Sequence, residues 1–267
     1  MHRRIESAMT MMTDPRHFKL RLFIEGNIIG VATGMVIALF RYLLELSEEY
    51  LPVLYLWLPE HIVWIPVWFL ALFLCSWVLY RIVRKDGMTS GSGIPQIKGI
   101  LLGEMDMNWA RVLVLKFTGA VLGIGAGMSL GREGPSVQLG ACLGQGLGRL
   151  THRSYAESHY LLTAGAGAGL AAAFNAPLAG VIFCLEELTK NFSAFVLMGA
   201  ISAAVTATTV TQYFFGMQPV FHMGVVPVID TGHMYFLLIL LGAFVGLLGL
   251  AFNPMLTRSQ DFYKKVP

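Results

Sequence analysis

One carboxylate dominates the chemistry available to this chain. Glu133 stands in Gly131-Arg132-Glu133-Gly134-Pro135, an acid and a base among glycines in a strongly apolar region. An ionisable group inside a membrane span costs at least about 2.5 kcal/mol, and such residues are functional by default. At the start of a helix a carboxylate meets free N–H donors and the positive end of the helix dipole. There it acts as a tethered anion: charged, it occupies an anion site; protonated, it can swing aside for a free anion. The bland alternative is an ion pair with Arg132. Neighbouring residues at a helix start point in different directions, so that pairing is not the natural geometry.

Two further stretches share the design. Gly91-Ser92-Gly93-Ile94-Pro95 and Phe174-Asn175-Ala176-Pro177 each place a proline after small or polar residues, just before a short apolar segment. Proline in the first helical turn loses no hydrogen bond, because that N–H is free anyway. Helices too short to cross a bilayer begin or end within it, where their free N–H groups need a partner. Such a terminus attracts an anion without a full positive charge, which suits a transported ion that must also be released. A single break of this kind is ordinarily a loop between packed helices. Three in one chain point to a binding site at mid-membrane. Glu186-Glu187, followed by Lys190, closes another apolar run. It reads either as an interfacial acidic pair or as an internal proton acceptor serving Glu133.

These residues need a scaffold of spans, and the hydropathy pattern supplies one. Residues 23–46 form a first span with a basic flank before it and Glu48, Glu49 and Glu60 after it. Residues 62–83 form a second, carrying Trp64, Trp68, Trp77 and Tyr80 near its ends and followed by Arg81, Arg84 and Lys85. Both place the N-terminus in the cytoplasm by the positive-inside rule. Then come a short segment at 96–102, a glycine-rich span at 112–128, and a second short segment at 136–147. That one ends at Arg149, His152 and Arg153. A small-residue helix at 161–174, a short segment at 178–188 and a span at 195–215 follow. A Gly/Pro-containing loop at 216–233 leads to a last span that begins at 235–252.

Composition agrees. Of 267 residues, 55% are hydrophobic and 13% charged, against about 25% charged in soluble domains, and the mean hydropathy is +0.64. The 29 glycines suit close helix packing in lipid. A net charge of +3 without a basic, aromatic-interleaved stripe excludes nucleic acid as a partner. Cys75, Cys142 and Cys184 are spaced too widely for zinc and read as core residues. No nucleophile and base stand at an enzymatic spacing, and no cofactor motif occurs, so an enzyme is not expected. The lead-in, residues 1–21, carries Arg3, Arg4, Arg16, Lys19 and Arg21 without an apolar core and is not a cleaved signal. Its Met9, Met11 and Met12 are lead-in sequence. Glu25 and Asn27 read as interfacial, and His222 and His233 as solvated.

The pattern Gly30…Gly34…Phe40 recurs as Gly242…Gly246…Phe252, with basic residues before the first copy and after the second. Similar helices of opposite orientation are what an inverted repeat produces. The expected organisation is a cytoplasmic segment at 1–19, a first repeat at 20–232, and the first helix of a second repeat at 233–267.

Taken together, Gly91-Ser92-Gly93-Ile94-Pro95, Gly131-Arg132-Glu133-Gly134-Pro135 and Gly169-Leu-Ala-Ala-Ala-Phe-Asn-Ala-Pro-Leu-Ala-Gly180 closely resemble the CLC family of chloride channels and proton/chloride antiporters. The likeness covers nearly the whole chain. It implies an all-α polytopic membrane protein of inverted-repeat architecture with broken helices, acting as a homodimer with one pore per subunit in the plasma or inner membrane. It implies chloride and protons as transported species. Ser92, Gly93, Ile94, Arg132, Glu133 and Gly134 would bind the anion, Ser92 through its hydroxyl. Glu133 would be the external gate and Glu187 the internal proton glutamate that channel members lack. Ser92, rather than proline, points to chloride over nitrate, and the Ser92 motif with Pro135 separates the chain from the fluoride branch.

The chain departs from the family in two respects. Gln96 and Lys98 stand where the family often has acids. Lys98 is thereby expected to make the inner approach more positive and to remove a possible partner for Arg132. The family's second half, with its pore-lining Phe and its chloride-ligating Tyr, lies beyond these 267 residues. The leading reading is thus the N-terminal portion of a proton-coupled chloride antiporter. The alternatives are a passive voltage- or pH-gated chloride channel of the same fold, and a truncated, non-conducting product.

Overall fold

The computed structural model describes residues 15–190, 192–217 and 232–263. The chain divides into two compact units, residues 1–220 and 221–267. The described residues are helices and connections, without a strand among them.

In the first unit, α1 (Pro15–Trp57) runs 43 residues, or about 65 Å at 1.5 Å per residue. The span expected at 23–46 is therefore extended at both ends. Glu48 and Glu49 fall inside the helix rather than ending it, and Glu45 accepts from Arg41 one turn earlier at 3.2 Å. Pro52 lies inside the same helix. After two 3₁₀ turns, Leu58–Glu60 and Ile62–Trp64, comes α2 (Ile65–Lys85), with Pro66 at its start and no buried residue. A helix apolar all round and buried nowhere is suited to lipid.

The short helix expected after the first break is α3 (Ile94–Leu102), nine residues long. Asn108 caps α4 (Trp109–Gly125) by accepting from the Arg111 N–H at 3.2 Å. The segment expected to be short at 136–147 is not: α5 (Glu133–Leu150) has 18 residues. Its glycines and glutamine lower the hydropathy without breaking the helix, because packing supports them. A Ser154/Glu157 capping box opens α6 (Tyr155–Phe174). Asn175, at φ 57°, ends α6, and its side chain accepts from Gln212 Nε2 at 2.7 Å. Pro177 then starts α7 (Pro177–Phe183). The segment expected as one helix at 178–188 is divided, since Cys184–Thr189 winds as a π turn. The unit ends with α8 (Ala194–Phe215).

The centre of this unit is α6, buried at every position from Leu161 to Ala173. Ile37, Phe40 and Leu44 of α1, Leu139 of α5 and Ala203 and Ala207 of α8 pack around its alanines. Glycine makes these approaches close. A Cβ on Gly140 of α5 would fall on the Gly165 carbonyl oxygen of α6, and one on Gly165 would fall on the Gly140 carbonyl. Gly30 and Gly34 of α1 serve the same purpose against α8, where an added Cβ would stand 2.7 Å from Ala203 O and 2.7 Å from Val210 Cβ.

Near the start of α1 the charges are structural. Glu25, 5% exposed, pairs with Arg153, and Arg21 pairs with Glu157 of the α6 cap. Asn27 accepts from the Thr206 hydroxyl at 2.6 Å. Glu25 and Asn27 thus tie α1 to its neighbours. Arg149 bonds Asp106 at 2.5 Å. The cysteines are free, with Cys142 and Cys184 buried and Cys75 partly so. The Cys184 thiol donates to Thr163 O at 3.1 Å.

In the second unit, α9 (Gly232–Tyr263) runs 32 residues with Pro254 inside, continuing well past Phe252. Met1–Asp14 and residues 218–231 lie outside the described residues, so the methionines of the lead-in, Arg3, Arg4 and His222 do too. Among the described residues, four stretches are long and apolar enough to cross a membrane: His17–Glu60, Ile62–Lys85, Ala194–Phe215 and Met234–Tyr263.

Candidate functional site

The site is built on a short piece of chain between α2 and α3. Four successive carbonyls there are held by side chains from three helices. Gln138 Nε2 of α5 donates to Met88 O at 2.7 Å. The Lys116 ammonium of α4 donates to Thr89 O at 3.1 Å and Gly91 O at 2.6 Å. Gln96 Nε2 of α3 donates to Ser90 O at 2.8 Å. In a planar trans peptide the following N–H points opposite to the carbonyl. Thr89 and Ser90 spend their N–H groups on Asp86 O and Gly87 O, so fixing Ser90 O toward Gln96 and Gly91 O toward Lys116 turns the Gly91 and Ser92 N–H groups away from those two side chains.

Gly93 completes the turn into α3. Its φ of 93° is a left-handed conformation that side chains rarely adopt, and a Cβ there would stand 2.6 Å from Gln138 Cδ. The Ser92 hydroxyl oxygen accepts weakly from the Ile94 N–H at 3.4 Å, which leaves the hydroxyl proton to donate elsewhere. Pro95 occupies the first turn of α3 without losing a donor.

The second break abuts the first. Gly134, in the first turn of α5, lies against Ser92: a Cβ on it would stand 2.5 Å from Ser92 O and 2.7 Å from Ser92 Cβ. Glu133 is the first residue of α5, exposed, and no side chain caps that helix start. Ser92, Ile94, Lys116, Glu133 and Gly134 line one cavity of about 580 Å³, closed on its apolar side by residues such as Leu79 and Ile82.

The structure thus gathers Ser92, Ile94, Glu133 and Gly134 at one wall, with Gly93 shaping the turn behind them. Arg132 is directed elsewhere: its guanidinium lies 5.8 Å from the centroid of the Phe174 ring, and it interacts electrostatically with Glu48, Arg41 and Glu45 of α1. It is half-buried and absent from the cavity lining. Glu187 is also set apart, on the π turn after α7, where it pairs with Lys98 of α3. Lys98 therefore does not simply add positive charge at the inner approach, because a carboxylate neutralises it.

Two residues of the site escape a reading by motif. Lys116 is 5% exposed and lies within an apolar helix. The argument that singles out Glu133 as an intramembrane charge applies equally to Lys116, and that was the available signal. Gln138 carries no such signal, since its role depends on Met88, fifty positions away. Chemically, the wall combines the Gly91 and Ser92 backbone, a hydroxyl donor and the buried Lys116 ammonium behind the loop. That is a setting for an anion held by partial charges. Among the described residues no cluster of His, Cys, Asp or Glu suits a metal.

The family model for the voltage gated chloride channel matches residues 71–267. The chain is 36% identical over 249 residues to the H⁺/Cl⁻ exchange transporter ClcA of Vibrio cholerae serotype O1, covering 89% of this chain and 52% of that protein. It is 34% identical to the protein of the same name from Salmonella paratyphi B, covering 92% and 53%. The chain therefore spans about half the length of these relatives. Among solved structures, a slow cyanobacterial Cl⁻/H⁺ antiporter superposes with a TM-score of 0.80 at 30% identity, over 92% of this chain and 59% of the other. A CLC-type fluoride/proton antiporter gives 0.68 at 28% identity, over 87% and 56%.

Proposed function

Because the chain belongs to the voltage gated chloride channel family, we propose that it is the N-terminal portion of a CLC-type transporter exchanging chloride for protons. Residues 20–232 would then form the first repeat and residues 233–267 begin the second. The observation that carries the reading is the shared cavity of Ser92 and Glu133, backed by the Lys116 ammonium. An anion entering it meets the Ser92 hydroxyl and the first-turn N–H groups of α3 and α5. Glu133, tethered at the same helix start, competes for that place when charged and yields it when protonated. One proton and one anion are thereby linked at a single position, and no cofactor enters the scheme.

In this reading Glu187 takes up protons on the inner side, and Arg132 supports the start of α5 from behind rather than binding the anion directly. The transporter is a multi-pass protein of the plasma or inner membrane, with a cytoplasmic N-terminus, and works as a homodimer. The names of the ClcA relatives and of the cyanobacterial neighbour support proton-coupled chloride exchange.

A passive chloride channel is the second reading. The Lys98–Glu187 pair favours it, because a carboxylate bound to an ammonium accepts a proton less readily. Chloride-driven proton movement by the full-length transporter in liposomes separates the two. Coupling that is lost in Glu187→Ala supports exchange. Currents that reverse at the chloride Nernst potential at every pH gradient overturn it.

A further inference from the structure

Lys98 and Glu187 are 89 positions apart, and their side chains meet between α3 and the π turn. Both groups are partly exposed, at 32% and 48%. Neither is needed to fill the core, whose members near this place are apolar, with Ile97 and Leu188 in one cluster. The contact also joins two distinct structures. One is the helix that opens at Ser92, and the other is a stretch of i→i+5 winding. Single π turns of that kind recur at functional places in helices.

We propose that Lys98 is a positioning residue that holds Glu187 as a paired carboxylate, so that proton uptake at the inner side begins only when acid breaks the pair. The proposal rests on the reading of Glu187 as the inner proton acceptor. In the step itself, the Glu187 carboxylate takes a proton from the inner solution. Lys98 keeps its own proton and is released to water, and no other bond is made or broken.

The electrostatic surroundings agree. Glu187 lies after α7, outside the four stretches able to cross a membrane. The hydrogen bond from Lys98 and its charge, with a smaller contribution from Lys190, hold the carboxyl below the usual range. The other charged groups nearby are few. Glu186 is adjacent on the same turn, and α7 and α8 contain no Asp, Glu, Lys, Arg or His. From α6, Glu157 is already paired with Arg21, His159 lies against the Tyr155 ring at 4.1 Å between centroids, and Tyr160 packs in the apolar cluster that holds Leu185. Lys98 is therefore the dominant partner. Lys190, at φ 49° just beyond the turn, is the secondary one.

The test has two readouts on the full-length transporter carrying Glu186→Gln. Isotope-edited infrared difference spectra titrate the Glu187 carboxyl directly, whether or not protons are transported. Proteoliposomes give proton uptake against inner pH. In Lys98→Met the carboxyl titration and the uptake profile should both move to higher pH, and Lys98→Arg should restore them. An unchanged carboxyl titration in Lys98→Met overturns the pairing role. A shifted titration with an unchanged uptake profile overturns the link to proton uptake. Proton coupling that survives Glu187→Ala instead overturns the exchange reading, while the titration result still decides the pair.

Discussion

Gly134 and Ser92 touch backbone to backbone, with no room at Gly134 for a Cβ between them. This contact joins the start of α5 to the turn before α3, so the two helix openings form one surface. Gly134→Ala should push the Ser92 turn away from Glu133. Overpacking of this kind costs about 1–3 kcal/mol, and chloride affinity should fall by roughly tenfold or more. Gly131, three residues earlier, has nothing within 4 Å of an added Cβ. Gly131→Ala should leave melting temperature and chloride titration nearly unchanged, which makes it the matched control in calorimetry.

Lys116→Met removes the donor that Thr89 O and Gly91 O share. Each unsatisfied buried acceptor costs about 1–3 kcal/mol. Thermal unfolding in detergent should register that loss. Chloride binding should weaken further than stability alone explains, because the positive charge behind the loop is gone. Lys116→Arg, longer and planar, should recover charge but not the geometry at both carbonyls.

Glu133→Gln tests the proposed gate, since it keeps the shape of the side chain and removes its charge. Chloride movement should persist and lose its dependence on proton supply, since a neutral amide competes poorly for an anion site. Flux measured with and without an imposed pH gradient checks this. A coupled flux equal to that of the unaltered protein would exclude Glu133 as the gate.

The pH dependence of the Lys98–Glu187 contact has a definite sign. The Lys98 hydrogen bond and charge lower the Glu187 pKa in the folded state relative to the unfolded chain. The contact is thus fully present above the unfolded carboxylate range and is lost as pH falls through the depressed folded value. Its loss should appear as a change at α3 only on the acid side of the ordinary carboxylate range. Hydrogen exchange of the α3 amides against pH, compared with Lys98→Met, measures it.

Glu25→Ala isolates the Arg153 charge in a mostly buried place, since Glu25 is 5% exposed and pairs with Arg153. Breaking a buried pair from one side costs about 3–5 kcal/mol. The expected result is a markedly lower unfolding midpoint, with the anion titration per folded molecule unchanged.

Features governed by near neighbours were legible from the residues in order. Pro95, Pro135 and Pro177 announce helix openings because a missing N–H and a fixed φ act locally, and each stands within the first three residues of its helix. Asn175 ends α6 for an equally local reason, its tolerance of positive φ. Length was harder to read. Residues 136–147 read as a short segment ending at the basic cluster, yet α5 runs from Glu133 to Leu150, with α6 covering its glycines. The π turn at Glu187 also has no periodic signature. The least legible features were pairings across the fold. Lys116 with Gly91, Gln138 with Met88 and Lys98 with Glu187 depend on which helices become neighbours. Hydropathy and spacing carry little information about that choice.

The reciprocal Gly140–Gly165 contact bears on what can move. With carbonyl seated against α-carbon on both sides, and Gly144 and Gly169 repeating the fit at Leu161 and Ser136, α5 and α6 meet main chain to main chain at these glycines. Sliding or tilting either helix would require separating two main chains. The mouth of α5 is accordingly a fixed frame. On the proposed reading of Glu133 as the gate, a valve set in it has only the freedom of that side chain: a few bond rotations, fast and short in reach.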